Sequence, residues 1–225
     1  MSFIAGVDEA GRGPVLGPMV MAIVACKPKD KVLLQKMGVK DSKLLTPKKR
    51  NELFRLIRSH FPHAIIKVSS KEIDKHVESE NSSLNRLEAL TSGKLIRRIC
   101  AKASISKVIL DLPSKNKEQY ISEVREKLNS PEKDIPITAE FKADLNYLEV
   151  SAASILAKVT RDKALKTMEQ KIGFPIGSGY PADPNTIKSL NNNFDKIIKE
   201  GLARMSWKTI KELENKRQQK TLSNF

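Results

Sequence analysis

Apolar residues recur along this chain with two different periods, and each change of period marks where a strand gives way to a helix. Short runs that are apolar throughout or alternate with polar residues lie at 2–8 and in MVMAIVAC at 19–26, HAIIKVS at 63–69, KVILD at 107–111 and IPITAE at 135–140; they predict five strands. The first two flank a turn rich in Gly and Pro, so they are expected as near neighbours in one sheet. KVILD is continuous rather than alternating, which fits a strand covered on both faces.

Elsewhere the spacing is three and four. Thr46 and Pro47 supply a cap and first turn for a helix striped by Leu53, Phe54, Ile57 and Phe61. Ser69 with Glu72 opens a short helix, and Leu84, Leu87, Leu95, Ile96 and Ile99 mark a longer one to about residue 102. Ile121, Val124 and Leu128 stripe another. A long helix is expected from about 146 to 168, with Leu148, Ala152, Ile155 and Val159 on one face; Ser151, Ala153, Ser154 and Ala157 are small enough to let it lie close to a neighbour. Asp183 and Pro184 begin a helix carrying Ile187, Leu190, Phe194 and Ile197, Gly201 ends it, and Trp207, Ile210 and Leu213 belong to a last one. Strands first, then alternation, then helices predicts an α/β fold: a mixed sheet flanked by helices, with a helical region from about residue 170.

Charge changes the picture. Among 225 residues, 41 Lys and Arg face 26 Asp and Glu, a formal charge of +15, while 40% hydrophobic content excludes disorder. A basic globular protein has polyanions as natural partners, nucleic acid first and an anionic membrane second. Cys26 and Cys100 sit in apolar stretches without framework spacing and read as buried, reduced thiols. No run approaches the roughly 18 apolar residues of a membrane span, so a soluble cytoplasmic protein without a membrane partner is expected.

Against that basic background the acids at strand ends stand out. Asp8 and Glu9 end the first strand, Asp111 ends the fourth, and Asp144 follows the fifth. Ligands of open α/β sheets gather at the carboxyl ends of strands, so separate segments deliver carboxylates to one edge. Clustered carboxylates repel one another unless cations neutralise them, and oxygen donors without His or Cys suit Mg²⁺ or Mn²⁺ rather than zinc. His60, His63 and His76 are scattered and read as structural or solvated.

The strings DEAGRGP at 8–14, ILD at 109–111, KAD at 142–144, SAASILAKVTRD at 151–162 and GSGYPADPNT at 177–186 resemble the type 2 ribonuclease H family, ribonuclease HII, in its archaeal form. The resemblance covers residue 3 to about 210. It implies a ribonuclease H-like catalytic domain over 1–170, a C-terminal helical region over 171–218 and a tail at 219–225. It further implies that Asp8, Glu9, Asp111 and Asp144 are catalytic and bind two divalent metals, Mg²⁺ or Mn²⁺. Gly11, Arg12 and Gly13 match the family's sugar-reading motif, and Tyr180 the tyrosine that works with it. Lys43 and Lys142, with Arg12, are candidates for phosphate contact.

The implied activity is hydrolysis of the RNA strand of RNA/DNA hybrids and cutting 5′ of single ribonucleotides in duplex DNA by a monomer, leaving 3′-hydroxyl and 5′-phosphate ends. Phe141 departs from the histidine many relatives carry before KAD. Asp111 argues against the type 3 branch, which has Glu there, and four carboxylates on a basic protein argue against a silent binding module. Finally Gln219, Leu222 and Phe225 form Q-x-x-L-x-x-F, which resembles the peptide that docks into a replication sliding clamp.

Overall fold

The computed structural model describes residues 2–39, 45–113 and 115–222. By packing, the described residues fall into two units, one drawn from 1–10, 20–67 and 84–160, the other from 11–19, 68–83 and 161–225. The division at residue 170 is a proposal about function, whereas this one follows how the backbone packs.

The first unit holds five strands, β1 (Phe3–Ala10), β2 (Met19–Cys26), β3 (His63–Val68), β4 (Ile105–Asp111) and β5 (Ile137–Glu140), in the order β3-β2-β1-β4-β5. β1 is antiparallel to β2 and parallel to β4, and β4 is parallel to β5, so the sheet is mixed as the alternation of elements predicts. Every residue of β2 is buried. Its Val20, Ala22, Val24 and Cys26 share a core with Leu53, Phe54 and Ile57 of α2 (Pro47–His60) and with Ala152, Ile155, Leu156 and Val159 of α7 (Leu148–Ile172). The helix α4 (Leu84–Cys100) packs on α5 (Lys117–Arg125) and on β4.

Local chemistry sets the helix starts. Thr46 Oγ1 accepts from the Lys49 amide at 3.2 Å, and Pro47 occupies the first turn, where its missing N–H costs nothing. Ser69 likewise caps α3 (Ser70–Val77) by accepting from the Glu72 amide. Before both, α1 (Lys31–Met37) escapes the sequence pattern, because its apolar residues are consecutive: Leu34 is buried while Val32 and Leu33 are exposed.

Two boundaries differ from expectation and both matter for the site. β1 continues to Ala10, since its ladder with β2 runs on to Ala10 opposite Val20, so Asp8 and Glu9 lie inside the strand near its end rather than at its last residues. The helix expected from about 146 begins at Leu148 as α7, and a separate short helix, α6 (Ala143–Asn146), precedes it across Tyr147 in an extended conformation. Cys26 is buried as expected; Cys100 is only half-buried.

The second unit is mainly helical, with α3, the latter part of α7, α8 (Pro184–Lys199) and α9 (Lys208–Leu222). Leu165, Ile172, Leu190, Phe194, Ile197 and Ile210 form its core together with Val15 and Leu16 of the 11–19 segment. That segment is tied in by the Gly17 amide, which donates to Leu202 O at 2.8 Å, and α3 by Ser70 Oγ, which donates to the same carbonyl at 2.9 Å. Asp183 caps α8 by accepting from the Asn185 amide, and Gly201, at φ 65°, lets the chain leave that helix. Trp207 packs against this core.

In the first unit the tightest approach is at Gly6, where a Cβ would lie 2.4 Å from the Glu149 carbonyl carbon and the Val150 nitrogen. Those are backbone atoms and cannot swing aside. Gly6→Ala therefore destabilises the protein by about 1–3 kcal/mol, the usual range for overpacking, as read by urea denaturation against the wild type.

Candidate active site

Strand pairing brings the first acids together. Val7 of β1 pairs with Leu110 of β4, and one step further along the same parallel register Asp8 stands beside Asp111. Oxygens of Asp8, Glu9 and Asp111 all lie within 4.8 Å of one another, the one such group of potential metal ligands among the described residues. Asp8 is buried, and that burial, reinforced by the Glu9 and Asp111 carboxylates, holds its carboxyl well above the usual range. Hydrogen bonds from Ser154 and from the Glu9 amide, the latter at 2.8 Å, pull the other way without cancelling the shift. A buried acid strained by two like charges is relieved by a divalent cation, and an all-oxygen donor set without His or Cys suits a hard one. These three carboxylates fit the group the sequence implied.

Asp144 arrives by another route and stands outside that group of three. β5 ends at Glu140, paired with Asp111, and Lys142 then takes a left-handed conformation at φ 55°, ψ 40°, one that costs a non-glycine residue about 1 kcal/mol or more. This turn delivers the Ala143 amide to Asp111 Oδ1 at 2.7 Å, leaving Asp144 one residue beyond that bond. Asp144 is buried, and its backbone carbonyl accepts from Ser151 Oγ of α7. On either side of it Phe141 and Leu145 are exposed, as is Lys142.

The glycine motif belongs to the second unit. Gly11 is buried at φ 88°, Arg12 half-buried and Gly13 exposed. A Cβ on Gly13 would stand 3.7 Å from Tyr180 Cε1, so the tyrosine ring lies directly beside this turn, 39% exposed. The turn and the tyrosine loop are joined through Gly179 O, which accepts from the Val15 amide at 2.8 Å and the Leu16 amide at 3.2 Å.

Of the remaining sequence candidates, Lys43 and Phe225 lie outside the described residues, Gln219 is exposed on α9, and Leu222 is the last residue of that helix. The sequence reading missed several buried polar residues. Ser154 is one. Glu149, fully buried, sits 3.2 Å from Lys31 Nζ, and with burial as the larger cause it pushes the Cys26 thiol up to about 12, which leaves that thiol inert. Arg161 and Arg204 are also fully buried. Nothing in a chain with 41 basic residues marks these two as interior.

Comparison with known proteins agrees with this geometry. The family model described as Ribonuclease HII matches residues 5–210. A ribonuclease HII of Thermococcus sibiricus is 41% identical over 233 residues, covering 99% of this chain and 97% of the relative. The crystal structure of the ribonuclease H2 from Pyrococcus horikoshii OT3 superposes with a TM-score of 0.79 at 35% identity, covering 95% of this chain and 98% of that one. A ribonuclease HII from Archaeoglobus fulgidus, solved as a complex with PCNA, superposes at 0.76 and 35% identity over 92% and 95% of the two chains. The chain belongs to the ribonuclease HII family and is a type 2 ribonuclease H, an endonuclease of RNA/DNA hybrids.

Proposed function

We propose that this enzyme hydrolyses the RNA strand of RNA/DNA hybrids and also cuts on the 5′ side of single ribonucleotides embedded in duplex DNA, leaving 3′-hydroxyl and 5′-phosphate ends. The observation that carries the reading is the convergence of Asp8, Glu9 and Asp111 within 4.8 Å, on a protein of charge +15 that would gain nothing from idle acids facing phosphates. The family resemblance adds Asp144, buried one residue beyond the amide that bonds Asp111. Two divalent ions, Mg²⁺ or Mn²⁺, held by these carboxylates would make water nucleophilic at neutral pH and stabilise charge on the departing oxygen. The chain's own part is to fix the acids in place: strand register sets Asp8 against Asp111, and the Ala143 amide orients Asp111.

Substrate choice falls to the second unit. Gly11–Gly13 lets a sugar approach the backbone closely, where peptide groups hydrogen-bond a 2′-hydroxyl, the group that separates RNA from DNA. The exposed ring of Tyr180 covers the neighbouring sugar and favours one without the hydroxyl. Arg12, Lys142 and Lys43 contact backbone phosphates, which position the strand without reading it. The tail Gln219–Leu222–Phe225 docks on a replication sliding clamp; the relative from Archaeoglobus fulgidus, solved with PCNA, supports that partner.

Incubation with Mg²⁺ or Mn²⁺ and a duplex DNA containing one ribonucleotide yields a single nick 5′ of that residue; cutting of long hybrids alone would refute the embedded-ribonucleotide activity. Asp8→Asn loses this cleavage. Without divalent ions the same variant is at least as stable as the wild type, because it removes a buried acid crowded by two others. With millimolar Mn²⁺ the wild type gains stability by mass action, about 2.7 kcal/mol at a hundredfold excess over Kd, and Asp8→Asn gains little; equal gains in calorimetric melts would exclude metal at these carboxylates. Deleting residues 219–225 abolishes stimulation by a sliding clamp and spares basal cleavage, and stimulation that persists rules the tail out.

A further inference from the structure

Two fully buried arginines lie in the second unit, and both are bonded to backbone carbonyls. Arg204, 0% exposed, donates from Nη2 to Gly11 O at 2.6 Å, from Nη1 to Arg12 O at 2.8 Å, and from Nε and Nη2 to Gly17 O at 3.1 and 3.0 Å. Three residues on, Trp207 Nε1 donates to Gly13 O at 3.3 Å, and its ring lies 5.0 Å from the Arg204 guanidinium carbon. All three carbonyls of Gly11–Arg12–Gly13 are thus taken by one short C-terminal segment.

Arg161, 1% exposed, donates to Ser178 O at 3.0 Å and Leu16 O at 3.4 Å and lies 5.4 Å from the centre of the Tyr180 ring. It also fills the space beside Gly11, where a Cβ would come within 2.2 Å of its Nε. Burying a guanidinium is costly unless its donors are bonded, so two of them under one turn need a reason.

Peptide geometry supplies it. In a trans peptide the C=O of one residue and the N–H of the next point in opposite directions. With the Gly11 and Arg12 carbonyls drawn inward to Arg204, the amides of Arg12 and Gly13 face away from the buried guanidinium. A positive charge behind a peptide, in a medium of low dielectric, also makes its N–H a stronger donor. We infer that Arg204, assisted by Arg161 beneath Tyr180, is a positioning residue for sugar recognition: it fixes the Arg12 and Gly13 amides outward and thereby sets the preference for a ribonucleotide over a deoxyribonucleotide. This rests on the reading that Gly11–Gly13 meets the 2′-hydroxyl. Only arginine has the planar fork to reach several carbonyls at once; lysine keeps the charge and loses the fork.

The test uses Arg204→Lys in the full chain, with Kd measured in EDTA, where no strand is cut, for a duplex containing one ribonucleotide and for the same duplex in DNA. The expected result is a fall of about five- to tenfold in the ribonucleotide preference, the scale of one hydrogen bond misaimed, with the all-DNA Kd and Mn²⁺ affinity unchanged. An intact preference in the folded variant overturns the inference, and so does an equal loss on both duplexes, which would mark a purely structural role. Should Arg204→Lys fail to fold by circular dichroism, Arg161→Lys decides in its place by the same ratio. A wild type without any ribonucleotide preference would instead remove the sugar-recognition reading itself, and this inference with it.

Discussion

The register between two parallel strands is the constraint on which the chemistry depends. β1 and β4 come from opposite ends of a long excursion, residues 11–104, and nothing local aligns Asp8 with Asp111. Their ladder does. A slip of one residue would turn every side chain of a strand to the other face, and the fully buried β2 on one side of β1 makes such a slip expensive. The fold thus buries Asp8 and forces together charges that would otherwise separate, and burial first, then that repulsion, raises its carboxyl.

Packing around Gly6 belongs to the same constraint. The start of α7 presses its backbone onto β1 at a point where only hydrogen fits, and α7 then brings Ser154 to Asp8 and Ser151 to the Asp144 carbonyl. Two residues of the SAAS stretch that follows, Ser151 and Ser154, serve as hydrogen-bond donors once there. One helix face therefore does both the packing and the holding, which is why the left-handed Lys142 turn can be tolerated just before it.

Periodicity and capping made most of this architecture legible. Thr46, Ser69 and Asp183 cap helices as their sequence contexts indicate, and the five strands fall where the apolar runs lie. α1 was hidden because consecutive Val32, Leu33 and Leu34 carry no helical period, and the extent of β1 was hidden because ladder length depends on its partner, β2. At the site, acids beside apolar runs were visible as anomalies in a basic chain. Arg161 and Arg204 were not, since burial of a cation is decided by which carbonyls the tertiary fold offers, and composition holds no trace of that.

The two units handle charge in opposite ways, and the difference follows from what each must face. Carboxylates in the first are crowded and incompletely compensated, with oxygens turned to a shared point, so the free energy of their repulsion is available to a cation that arrives there. Guanidinium groups in the second are spread over neutral carbonyls: Arg204 donates from Nε, Nη1 and Nη2 to backbone oxygens, and Arg161 from Nη2. Bonded to carbonyls, they keep their charge while orienting the peptides, and a glycine turn with little stiffness of its own acquires a fixed direction.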